Sequence, residues 1–171
     1  MSNRYPYPIG TLFTQTASVT VANTTTQTTL LDGGVGSVTL PVNFFYPGRT
    51  LRITLYGYHS TVANPNITMR VKFGSTTILT TGAVASGNST NTAIKLEGFV
   101  TCRTDGATGT VIGQGTYTEA GGGANIFDMT NTATTTIDTT ASQTVDITVQ
   151  WGTASASNTI TSTNVILEYL N

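Results

Sequence analysis

A chain of 171 residues with 9% charged side chains and a formal net charge of −1 is long enough for one domain with a sizeable core. It is too weakly charged to attract nucleic acid or an anionic membrane. Only Lys72 and Lys95 are lysines while thirty-nine positions are Thr, which predicts a neutral, hydroxyl-rich surface.

The first residues lack the apolar core of a signal peptide, and no run approaches about 18 continuous apolar residues. The chain as written is therefore expected to be made in a cytoplasm and to leave it only inside a larger assembly. Residues 1–16 are expected to form a short extended N-terminal arm, and residues 17–171 a single domain. Pro6, Pro8 and Gly10, with Tyr5 and Tyr7 between them, favour a polyproline-like course over a helix or an internal strand. Two readings stand for this arm. It is a frayed terminus, or it docks on a neighbouring subunit through Arg4, Tyr5, Pro6, Tyr7 and Pro8, arginine and aromatic residues being favoured at interfaces.

From Ala17 to Ala22, Val19 and Val21 alternate with Ser18 and Thr20; Gln27 to Leu31 ends in the turn signal Asp32-Gly33-Gly34; Ser37 to Leu40 is a further short strand. Next come Phe44, Phe45 and Tyr46 between Pro41 and Pro47, where no alternation hides all three aromatics on one face. They plug the end of the core, form an oligomer contact, or offer a ligand platform.

Arg49 to Ser60 reads as a long strand, with Leu51, Ile53 and Leu55 on one face and Arg52, Thr54, Tyr56 and Tyr58 on the other. The second face suits a partner better than bulk water. Across the turn Asn64-Pro65-Asn66, the alternation of Ile67, Met69, Val71 and Phe73 predicts that the two strands form a hairpin. Thr76 to Thr81 follows, and 82–91 reads as a small polar loop. Ala93 to Thr104 is long again, with Gly98 marking a bulge or a close backbone approach, and the turn at 105–109 predicts that 110–118 pairs back. Residues 119–125 are rich in glycine, and 128–143 reads as an irregular connection. Val145, Ile147, Val149 and Trp151 then share a face, and Asn158 to Leu170 is expected to turn back antiparallel beside them.

No apolar 3.6-residue period with caps occurs, so essentially no helix is predicted. Nine or ten antiparallel strands at this spacing predict an all-β fold, a jelly roll or related Greek-key β-sandwich. Because edge lysines are nearly absent, the sheet edges are expected to be shielded by copies of the chain, a homo-oligomer.

Residues that carry chemistry are few. Cys102 is the only cysteine, which excludes an intrachain disulfide and a thiolate metal site, and His59 is the only histidine, which excludes a His-rich metal site within one chain. His59 shares the parity of Leu51, Ile53 and Leu55 at the end of its strand and is expected at the rim or half-buried with its polar groups satisfied. A pH-sensitive contact, or three copies meeting on a three-fold axis, is the other reading. The eight carboxylates are scattered one per segment, and no motif proposes the pair a glycosidase needs. Gly113-Gln114-Gly115 and Gly121-Gly122-Gly123 open no helix and so make no phosphate loop. No cofactor or metal is expected, and catalytic residues are expected to be none. Trp151 is expected in the core; a bound sugar has no dedicated motif, although exposed Tyr, Asn and Asp suffice for one. Candidate subunit-interface residues are Phe44, Phe45, Tyr46, Tyr56 and Tyr58.

Two runs, Arg103-Thr-Asp-Gly-Ala-Thr-Gly-Thr-Val-Ile-Gly-Gln-Gly-Thr-Tyr117 and Val149-Gln-Trp-Gly-Thr-Ala-Ser-Ala-Ser-Asn-Thr-Ile-Thr-Ser-Thr-Asn164, resemble stretches of tailed-bacteriophage virion structural proteins. Pro47 to Arg52 and Thr68 to Gly74 fit the same pattern, and the resemblance covers about residues 17 to 170. It implies a jelly-roll subunit, often trimeric, residing in a virion and touching the major capsid protein or another virion protein. The expected function is therefore non-enzymatic: a capsid decoration or cement protein. The alternative is a receptor- or glycan-binding knob of a head or tail fibre, using loops near Asn64, Asn88 or Asn125.

Overall fold

The computed structural model describes residues 9–121 and 125–171. Among them every regular element is a strand, and no helix is long and apolar enough to cross a membrane. In chain order the strands are β1 (Gly10–Thr14), β2 (Val19–Ala22), β3 (Thr28–Thr29), β4 (Val38–Leu40), β5 (Thr50–Thr61), β6 (Asn66–Phe73) and β7 (Thr76–Thr80). They continue as β8 (Val84–Ala85), β9 (Ser89–Thr104), β10 (Gly109–Glu119), β11 (Asn125–Asp128), β12 (Thr135–Ile137), β13 (Gln143–Trp151) and β14 (Thr159–Tyr169).

Two antiparallel sheets pack face to face. One runs β1-β14-β5-β9-β10-β11, with β2 also on β14 and β12 also on β10; the other runs β3-β13-β6-β7, with β4 also on β13 and β8 also on β6. The chain switches sheets repeatedly, so its last two long strands insert between the first strands and the middle ones. That interleaving is the jelly roll, and it confirms the expected fold class. β9 and β10 form the expected hairpin and extend the first sheet, Val111 pairing with Cys102 and Glu119 with Ile94.

Two expected hairpins are corrected. β5 and β6 lie in different sheets, as do β13 and β14. Each of these strands has one apolar face, which either sheet can bury, so alternation does not choose the partner. The corner after β5 is set by Ala63 and Asn64, both at positive φ (59° and 48°), which swing the chain across to the second sheet. Further structure appears where loops were expected: β8 within 82–91 and β12 within 128–143. β1 pairs with β14 from Gly10 opposite Tyr169 to Thr14 opposite Ile166, so the second part of the expected arm belongs to the sheet.

The core lies between the sheets. Leu51, Ile53, Leu55, Leu96, Val100, Val165 and Leu167 come from one side, and Ile67, Met69, Val71, Phe73, Val145, Ile147, Val149 and Trp151 from the other. Each such side chain contributes about 1.5–3 kcal/mol on burial. Gly98 is a close approach without a bulge. A Cβ there would stand 2.6 Å from Leu79 Cδ1, and one on Gly113 would stand 2.6 Å from Leu79 Cδ2, so Leu79 from the opposite sheet lies between two glycines.

Candidate interaction surface

The outward face of the first sheet is built by the polar parity of its strands. Register aligns Asn164, Tyr56, Lys95 and Thr118 in one row across β14, β5, β9 and β10, and Glu168, Arg52, Phe99 and Gln114 in another. Tyr58 stands next to Tyr56 on this face, opposite Ala93. Tyr56, Tyr58 and Phe99 are exposed to 44%, 40% and 38%, large apolar areas on a face that also carries hydroxyls, amides and charged side chains.

Two ion pairs lie on this face, while Arg103 and Asp128 stand on it without an ion pair among the described residues. Arg52 pairs with Glu168, with Nη2 2.5 Å and Nε 2.9 Å from Oε2. Lys95 Nζ lies 2.6 Å from Glu97 Oε2 and 5.7 Å from the centre of the Tyr56 ring. The hydrogen bond to Glu97 holds the Lys95 ammonium above the ordinary lysine pKa. A shallow depression bounded by Gly57, Tyr58, Asn91 and Ala93 adjoins the aromatics. With exposed aromatics beside locally paired charges, this face has the chemistry of a protein contact.

Of the expected site residues, Arg4, Tyr5, Pro6, Tyr7 and Pro8 lie outside the described residues. Tyr56 and Tyr58 are together and exposed. Phe44 and Phe45 are buried in the core with their rings edge to face at 5.1 Å, and Tyr46 is half-buried beside them, so this segment closes the end of the sandwich. The Arg49 guanidinium lies within 5 Å of the ring centres of Phe44, Tyr46 and Tyr169, at 4.8, 4.6 and 4.9 Å, and Arg49 Nε donates to the carbonyl of Asn171. Phe99 is absent from the expected set. It falls on the polar parity of its strand, and the register places it opposite Arg52, on the same face as the tyrosines and four residues along β5 from Tyr56.

A second group of functional side chains is buried. His59 (1% exposed), Ser86 (0%) and Glu119 (2%) meet where β5, β8 and β10 converge. Ser86 Oγ donates to Glu119 Oε1 at 3.0 Å and lies 3.4 Å from His59 Nδ1. Asn125 Nδ2 reaches Glu119 Oε2 at 3.5 Å. Burial lowers the His59 pKa, opposed in part by the Glu119 charge, and burial first pushes the nearby Tyr117 hydroxyl well up. His59 is thus inside the fold rather than at its rim, and no surface of it is left to meet a copy on a three-fold axis. Ser86 donates its hydrogen bond to the carboxylate and is fully buried, an arrangement suited to holding strand ends together. Trp151 is in the core, as expected.

No family model matches the chain, and a comparison with curated proteins gave no match.

Proposed function

We propose that this chain is a non-enzymatic structural subunit of a virion, a jelly-roll decoration or cement protein that assembles as a homotrimer and stabilises a phage head. The observation that carries the reading is the exposed pair Tyr56 and Tyr58, with Phe99 farther along the same sheet face. Such a face gains by covering its aromatics. The partner assigned to it is a second copy of the chain, because a net charge of −1 sets up little repulsion between copies. The virion context rests on the resemblance of residues 103–117 and 149–164 to tailed-phage structural proteins. Many weak contacts repeated over a shell then stabilise it by mass action.

The arm supplies the attachment to the major capsid protein. Co-sedimentation with heads of the virus that encodes the chain tests this. The full chain is expected to pellet with heads, and a chain lacking residues 1–8, which keeps β1 intact, is expected to stay in the supernatant. Full-length protein that fails to pellet overturns the decoration role.

A further inference from the structure

The outward face of the second sheet carries a different chemistry. Between β6, β7 and the end of β13 lies a groove of about 620 Å³, lined among others by Asn66, Thr68, Arg70, Thr77, Thr80 and Gln150. That volume is within the range of about 300–1,000 Å³ typical of small-ligand sites. Its lining offers hydroxyls, two amides and one guanidinium, with no carboxylate.

Arg70 is held in place. Gln150 Nε2 donates to the carbonyl of Thr25 at 3.1 Å, which fixes the amide, and Gln150 Oε1 accepts from Arg70 Nη1 at 3.0 Å. Among the described residues Arg70 has no ion pair, and its other N–H groups have no protein acceptor. The acid on the same sheet face, Asp146, is opposite Lys72 in register and accepts a hydrogen bond from Thr29. Thr148 Oγ1, whose residue is in register with Arg70 on the same sheet face, is a buried polar atom without a partner. The rim is braced as well, because Gly82 N donates to Thr80 Oγ1 and Thr81 Oγ1 donates to the Gly82 carbonyl at 2.7 Å.

A positioned, uncompensated guanidinium presents a fork that matches a carboxylate. Hydroxyls and amides around it match a ligand rich in hydroxyls. We infer that this groove binds a carboxylate-bearing saccharide, a uronic or sialic acid type of sugar, with Arg70 taking the carboxylate and Asn66, Thr68, Thr77 and Thr80 the ring hydroxyls. This site goes beyond the structural role, and it lies on the sheet opposite the aromatic face, so either can fail without the other.

The test is a titration of the ¹⁵N-labelled full chain, followed by NMR, with methyl glucuronide (free carboxylate), methyl glucoside and sodium acetate. Saturable shifts confined to Thr68, Arg70, Thr80, Gln150 and their neighbours are expected with the glucuronide, at an affinity about tenfold or more above either other probe. Arg70→Gln is expected to lose that advantage, while Arg70→Lys keeps only part of it. Absence of saturable shifts overturns the site. Equal binding of the glucoside removes the role of Arg70, and equal binding of acetate reduces the groove to an anion contact without sugar recognition; either result overturns the inference in wild-type protein, without reliance on a variant.

Discussion

His59 Nδ1 lies 3.6 Å from Glu119 Oε1, with both side chains almost wholly removed from solvent and Ser86 between them. Burial of the imidazole outweighs the attraction of the carboxylate, so the His59 pKa in the fold is lower than its ordinary value of 6.5.

The sign of the resulting pH dependence follows. The unfolded histidine takes up a proton near 6.5 and the folded one only at lower pH, so this contribution is complete above 6.5 and shrinks as pH falls from 6.5 towards the folded value. Unfolding free energies from urea titrations at several pH values between 7.5 and 5 are expected to fall, with a slope from this group of at most about 1.4 kcal/mol per pH unit. His59→Gln is expected to flatten that decline. The lowered carboxyls of Asp32, Asp128 and Asp138 act only below their ordinary value of 3.8, outside this window. An equal decline in the variant would remove His59 as the cause.

Leu79 packs against the flat backbone at Gly98 and Gly113. Gly98→Ala places a methyl 2.6 Å from Leu79 Cδ1 and is expected to cost about 1–3 kcal/mol by overpacking. In a Leu79→Ala background the same change is expected to cost clearly less, and the double-mutant cycle measured by urea denaturation gives the coupling. Additive costs would mean that the two sites do not touch.

Arg49 is expected to be worth more than a surface cation. Its guanidinium lies near three rings and binds both the Phe44 carbonyl and the chain end at Asn171. Arg49→Ala is expected to lower stability by about 1–2 kcal/mol, and Arg49→Lys by less, because the ammonium keeps the cation–π contact but loses the fork. Thermal unfolding of the two variants measures the order; equal losses would assign the effect to packing of the arginine stem.

The strands were legible in the sequence because one dry and one wet face impose a period of two: Leu51, Ile53 and Leu55 marked β5, and Val145 to Trp151 marked β13. The jelly roll followed from the number and spacing of such runs. Partners were not legible, since the apolar face of β6 fits against either sheet and the corner at Ala63 and Asn64 depends on two backbone angles that neither residue type announces. The site was legible in part. Tyr56 and Tyr58 stood out as aromatics on a polar parity. Phe99 joined their face only through the pairing of β5 with β9, opposite Arg52, and of the readings open for Phe44 and Phe45 the structure takes the plug at the end of the core. The meeting of His59, Ser86 and Glu119, far apart in sequence, gave no local signal at all.

The most direct measurement is the solution mass by light scattering of the full chain and of Tyr56→Thr/Tyr58→Thr/Phe99→Thr, a variant that keeps strand-forming residues at all three positions. Self-association through the aromatic face requires a mass near three times 17.9 kDa for the full chain and a folded protein of 17.9 kDa for the variant. A monomeric full chain, or a variant that stays trimeric, would contradict it.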